Sequence, residues 1–264
     1  MKNFISLLAA FVLLSVISVE AAAAAPIEIT AALLEKTMAS ATQTQANRIH
    51  SLQDELLTLQ KQEQDWDTTI ALQHNQNKEA QAALSQQAKE IDKPQLAKLE
   101  EDVLQTRERY KPLLSRYTAL NKQIETVRPL KNKSLNTLLR LQAAALKIPV
   151  QLARADIQAK EKVRQAAKEQ SSKAAKKVRS LLDDLDPVNA QIKAKQSAVK
   201  SSRKSLSPLW SGFKKSAKQG DAIGVQSTLS SMVSLLRQIN EEKQRIFKLE
   251  TNVRDKLAAI KKDT

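Results

Sequence analysis

The sequence contains no cysteine. That absence excludes disulfides, a thiolate nucleophile and cysteine metal ligands, and it suits an oxidising exterior. Glycine is almost as scarce: Gly212, Gly220 and Gly224 are the only three in 264 residues. A β or α/β domain of this size uses many more glycine-bearing turns. Aromatic side chains make up only 3%, too few for the stacking platforms of a single-stranded nucleic-acid binder. The two histidines, His50 and His74, would stand about 36 Å apart on one helix and cannot share a metal or a proton within one chain. Both are read as solvent-facing residues beside an apolar seam. No glycine-rich phosphate loop, nucleophile elbow or calcium loop is present. Carboxylates come in short runs, such as Asp65 and Asp67 or Glu241 and Glu242, and a charged helix face explains such runs. The sequence therefore offers no catalytic residues, no cofactor-binding residues and no metal ligands. The expectation is a protein that is not an enzyme.

What is abundant is the set of strong helix formers: Ala, Leu, Lys, Gln, Glu and Arg. The N-terminus carries the most specific local signal. Lys2 is followed by a largely apolar run over residues 4–19 and by five alanines from Ala21 to Ala25. This is the plan of a signal peptide over residues 1–25, with cleavage expected after Ala21, Ala23 or Ala24, because Pro26 would follow a cut at Ala25. An uncleaved signal anchor is the other reading, since the run approaches spanning length. Either way the chain is expected to be exported, secreted or held at the cell envelope. No second long apolar run occurs.

The net charge of +15 is unevenly placed. Residues 26–100 hold seven Lys/Arg against 11 Asp/Glu, whereas residues 151–219 hold 17 against six. Charge and breaks in the apolar pattern together divide the chain in three: a mildly acidic arm over 26–92, a basic helical region with proline kinks over 93–219, and a C-terminal helix over 220–264.

Between residues 45 and 91 apolar positions recur at alternating spacings of three and four. The seam is Ile49, Leu52, Leu56, Leu59, Trp66, Ile70, Asn77, Leu84 and Ile91. A heptad repeat of this length predicts a coiled coil. Glu63, Gln73, Asn77 and Gln87 intrude on the seam. Such residues weaken it and can set register or partner choice. Asp92-Lys93-Pro94 breaks the pattern, with Asp92 placed to cap the next helix. The alternation resumes at Leu96 and runs through Val103, Thr106, Tyr110, Tyr117, Leu120, Ile124 and Val127 to Leu138, Leu141, Ala145 and Ile148. Pro112 and Pro129 fall on its outward side, as kinks that leave the seam continuous or as fresh helix starts. Leu135, Leu139 and Leu146 widen the stripe, which places this stretch between two or more neighbours. Ile148-Pro149 is the next expected break. Asp186 is expected to be an N-cap with Pro187 at the first helical position, and residues 220–224 form the clearest loop. The last helix carries Val225, Leu229, Met232, Leu236, Ile239, Ile246, Val253, Leu257 and Ile260, interrupted by Lys243 and Glu250.

The fold expected is all-α: long heptad-patterned helices in an elongated antiparallel helical bundle or coiled-coil hairpins, with the first arm free to project. Functional colour comes only from the basic stretch. Lys173, Lys176, Lys177, Arg179, Lys193, Lys195, Lys200, Arg203, Lys204, Lys214, Lys215 and Lys218 are the expected contacts to an anionic surface, either a cell-wall polymer or a membrane. Trp210, with Phe213 and Lys214-Lys215 nearby, reads as packing or as a membrane anchor. Nucleic acid is disfavoured as a partner by export and by the lack of interleaved aromatics. A homo-oligomer, or a protein partner completing the N-terminal seam, is the other kind of association expected. That second kind makes a regulator or chaperone-like adaptor the alternative to a structural or scaffolding role.

Four short runs add a setting. Tyr110-Lys111-Pro112-Leu113, Leu120-Asn121-Lys122-Gln123, Leu130-Lys131-Asn132-Lys133 and Val150-Gln151-Leu152-Ala153-Arg154 resemble stretches of uncharacterised exported helical proteins of spore-forming Gram-positive bacteria. The general plan also resembles the coiled-coil halves of secreted wall hydrolases, whose catalytic half has no counterpart here. The resemblance implies an envelope or extracellular setting and transfers no activity.

Overall fold

The computed structural model describes residues 27–262; the signal peptide expected over residues 1–25 lies outside them. Among the described residues there is no strand. The fold is an all-α helical bundle. A short helix α1 (Ala31–Ser40) precedes five long ones: α2 (Gln43–Glu90), α3 (Lys93–Val127), α4 (Lys133–Asp183), α5 (Asp186–Gln219) and α6 (Ala222–Lys262). The chain forms two compact units, each discontinuous in sequence. The first comprises Met1–Trp66 with Ser197–Lys243, the second Asp67–Gln196 with Gln244–Thr264.

The connections reflect local chemistry. Between α2 and α3 the helix is broken, not reversed, at Asp92, which takes a left-handed conformation with φ +55°; α3 continues the direction of α2, both running antiparallel to α4. The Asp92 side chain makes no capping hydrogen bond, contrary to expectation; its carbonyl accepts from Leu96 N instead, at 2.8 Å. Between α3 and α4 lies a single 3₁₀ turn, Arg128–Leu130, followed by Lys131 at φ +53°. Asn132 then caps α4 through its side chain, 3.1 Å from Leu135 N. Asp186 is the first residue of α5 rather than its cap, and the Leu185 carbonyl accepts from Asn189 N at 2.9 Å. Gly220 turns the chain at φ +66°, and a Cβ there would meet the Lys36 carbonyl oxygen at 3.3 Å. Asp221 Oδ1 accepts from Gly224 N at 2.9 Å, so Gly224 belongs to α6 rather than to a loop.

The expectation of a break at Ile148-Pro149 needs correction. Pro149 does not end a helix: α4 runs through it, as α3 runs through Pro112 and α5 through Pro208. All three are exposed, so the carbonyl each leaves unbonded can be hydrated. Pro129 does sit at a break, and that break resets the heptad phase.

In the first unit the core consists of Ile49, Leu52 and Leu56 of α2, Phe213 and Ala217 of α5, and Val225, Leu229, Met232, Leu236 and Ile239 of α6, all nearly inaccessible. α1, which the apolar periodicity of the long helices does not mark, is fastened to this unit. Thr37 Oγ1 donates to the Ala217 carbonyl at 3.4 Å and Ser40 Oγ to the Gly220 carbonyl at 2.5 Å. Here α2 and α6 run parallel: Glu55 meets Arg237, Leu59 meets Asn240 and Glu63 meets Lys243. The α2 arm is thus packed rather than projecting.

In the second unit α3 and α4 form an antiparallel hairpin. Glu100 pairs with Arg164, Arg107 with Glu161 and Arg109 with Asp156. Towards the turn the core is Leu120, Leu139 and Ala143, with Tyr117, Ile124, Val127 and Leu146 packed on it. The continuous seam expected from Leu96 to Ile148 holds only as far as Val127. Beyond the turn, Leu138, Leu141, Ala145 and Ile148 are exposed, while Leu139, Ala143, Val150 and Ala153 are buried. The reversal at residues 128–132 interrupts the helical phase, so positions counted through it lose their meaning.

Candidate functional site

The expected seam residues of α2, with Ile91 just past its end, divide by depth. Ile49, Leu52, Leu56, Ile70, Asn77 and Leu84 are buried, and Leu59, Trp66 and Ile91 are half-buried. The polar intruders are the informative members. In the first unit Lys243, whose side chain is 3% exposed, donates from Nζ to the Glu63 carbonyl at 3.0 Å and to Glu63 Oε1 at 3.1 Å. Arg203 Nε reaches the same oxygen at 2.5 Å. One carboxylate thus holds two cations from two other helices.

In the second unit Glu250 is 1% exposed. Asn77 Nδ2 donates to Glu250 Oε2 and to its carbonyl oxygen, both at 2.8 Å, and Gln73 Nε2 donates to Asn77 Oδ1 at 3.1 Å. His74 Nδ1 lies 2.8 Å from Glu250 Oε1. The expectation of a solvent-facing His74 is corrected: the ring is half exposed and its Nδ1 engages a buried carboxylate. Sequence periodicity marks Glu63, Asn77, Lys243 and Glu250 as interruptions of two separate seams. The structure brings them together in pairs, because a buried polar group is stable only where a partner satisfies it. The matching of interruptions on α2 and α6 was the signal that could have found these pairs.

The Glu250 carboxylate orients the His74 ring through Nδ1, and among the described residues no three His, Cys, Asp or Glu side chains gather to hold a metal ion. On the α3–α4 hairpin a depression of about 520 Å³ is lined by Asp102, Gln105, Thr106, Arg109, Asp156 and Lys160. Asp156 is engaged there: Arg109 Nη2 and Tyr110 OH both donate to its Oδ2, at 2.9 and 3.0 Å.

The expected anionic-surface residues divide between the units. Lys173, Lys176, Lys177, Arg179, Lys193 and Lys195 fall in the second; Lys200, Arg203, Lys204, Lys214, Lys215 and Lys218 fall in the first. Arg203 leaves the set, since it is half-buried against Glu63. Lys200, Lys204, Lys214, Lys215 and Lys218 remain the coherent group. On α5 these five fall within an arc of roughly 100° at ideal helical rotation. The helix carries no carboxylate from 187 to 219. Trp210 is half-buried and stacks on the buried Phe213, with ring centroids 5.1 Å apart, while Lys214 Nζ stands 5.4 Å from the Trp210 ring centroid. Its ring is committed to packing, not held out as an anchor.

Comparison with protein-family models, with curated proteins and with solved structures finds no match for this chain.

Proposed function

We propose that this chain is a non-enzymatic helical scaffold of the cell envelope, exported through its N-terminal segment and held to an anionic matrix by basic helix faces. The observation that carries the reading is α5: a run of Lys/Arg with no Asp/Glu over residues 187–219, with five lysines sharing one face in the first unit. Solubility alone does not call for such a one-signed helix. Beside an anionic polymer or headgroup layer each of these lysines would contribute about 1 kcal/mol at low salt. Lys2, the apolar run over 4–19 and the alanines after it support export.

The alternative is a regulator or chaperone-like adaptor whose polar-interrupted α2 seam is completed by another protein's helix; the partners that Glu63 and Asn77 have on α6 favour the scaffold reading over it.

The test is co-sedimentation of the chain with purified cell walls, and with anionic and neutral vesicles, at low and high salt. Salt-reversible retention, lost when Lys200, Lys204, Lys214, Lys215 and Lys218 are changed together to glutamine, is expected. Retention that survives those five substitutions and high salt would overturn the electrostatic mechanism.

A further inference from the structure

The N-terminal half of α4 carries two apolar stripes, and among the described residues only one of them is covered. Leu139, Ala143, Leu146, Val150 and Ala153 face the hairpin core. About 140° away around the helix, Leu138, Leu141, Ala145, Ile148 and Leu152 form a second stripe of unbroken heptad spacing. Here Leu141, Ile148 and Leu152 are 69%, 68% and 67% exposed. Val163, at 54%, extends the line. Single exposed leucines are ordinary, but a continuous row of them is not.

The surroundings say what covers it. Over residues 111–155 the hairpin is rich in Lys/Arg and holds one carboxylate, Glu125. Lys133, Arg140, Lys147 and Arg154 stand a heptad apart in turn and form a third face of α4, all exposed. A second copy of this chain would bring the same positive hairpin against it. A foreign helix is disfavoured too. The positions directly beside the stripe are Thr137, Gln142, Ala144, Pro149 and Gln151, which carry none of the charges that select and register a partner helix. A bilayer needs neither register nor selecting charges. It accepts a convex row of Leu and Ile into the acyl boundary, while long cationic side chains reach back to anionic headgroups. Among the described residues no helix is long and apolar enough to cross a membrane, so α4 would lie on the surface rather than span it.

We propose that the α3–α4 hairpin is a membrane-interface element: the Leu138–Leu141–Ile148–Leu152 stripe of α4 inserts into the outer boundary of an anionic phospholipid bilayer, and the hairpin's cations hold the headgroups. The proposal is independent of the lysine face of α5. It uses another helix and an apolar contact that a purely ionic matrix would leave in water.

The absence of cysteine makes a local test direct. In the full chain, Ile148→Cys carries an environment-sensitive dye, and Ser231→Cys on α6, also exposed, serves as control. On phosphatidylglycerol vesicles the dye at 148 is expected to shift to the blue and become shielded from an aqueous quencher. The dye at 231 should not change, and phosphatidylcholine vesicles should have a much smaller effect. Adding Leu141→Ser and Leu152→Ser should lower vesicle partitioning at least about tenfold, with helicity retained because both side chains are exposed. The five-lysine α5 variant should keep the shift at 148, which separates this proposal from the reading of α5. A dye at 148 that stays in water while the chain sediments with vesicles would overturn the proposal. So would a dye already shielded without vesicles in a dimeric chain, which would assign the stripe to a second copy.

Discussion

The seam shared by α2 and α6 and the outer stripe of α4 are opposites in sequence and in fate. The first is interrupted by Glu63, Gln73 and Asn77 on one helix and by Lys243 and Glu250 on the other, yet these polar groups are hydrogen-bonded to one another within the packed seam. The second has no charged or amide intruder among its positions from Leu138 to Leu152, yet it stands in solvent. Apolar quality therefore did not decide which seam was closed. Complementarity did: a buried carboxylate demands its lysine or amide, and that demand rejects any register that separates them. An uninterrupted stripe makes no such demand, and is free to serve a surface without register.

The sharpest way to break this contrast is at Glu63. Glu63→Ala removes the carboxylate that engages a buried lysine and a half-buried arginine and should destabilise the chain by about 3 kcal/mol in urea unfolding followed by circular dichroism. Joining Glu63→Leu to Lys243→Met and Arg203→Met should restore stability to within about 1 kcal/mol of the parent or above it, with register then less tightly held. If the single change were silent, the pair would not be setting the register. A smaller effect is expected at Asn77. Asn77→Ala strips two hydrogen bonds from Glu250 and should cost about 2 kcal/mol by the same measurement. At the other end of the comparison, Asn132→Ala removes the cap of the helix that bears the open stripe. The expected loss is about 1 kcal/mol, and hydrogen exchange should report it as fraying confined to the first turns of α4. Least of all is expected from Leu141→Ser or Leu152→Ser: a change in unfolding free energy within about 0.5 kcal/mol. A large loss there would mean the stripe is buried in solution, which would close the gap between the two regions.

Much of the fold was legible in the residues themselves. Helix formers, sparse glycine and heptad spacing mark each long helix, and Asp92-Lys93-Pro94 and Gly220 mark two of the helix ends. The turn at residues 128–132 was not legible, because Pro129 reads equally as a kink and as a break; only Lys131 in a left-handed conformation, with Asn132 capping next, makes it an end. The helix at Ala31–Ser40 escapes the periodicity for a related reason: with Leu34 and Thr37 as its only buried residues it has no long stripe to announce it. Of the candidate surface, the lysines of α5 could be read directly from their one-signed run. Arg203 could not be told apart from them, since its partner Glu63 lies 140 residues away in the chain.

Helicity, the placement of charge and the apolar periodicity are local properties, written within a few turns of backbone, and they arise from propensity and spacing alone. Which seams meet is not local. α4 offers two stripes of similar apolar content, and the one that is buried is the one the reversal at 128–132 turns towards α3. α2 and α6 find each other across some 180 residues because only there do Lys243 and Glu250 meet the groups that can satisfy them. Long-range pairing is chosen by the free energy of buried polar groups and by the geometry of turns, and neither is visible in the period of a single helix.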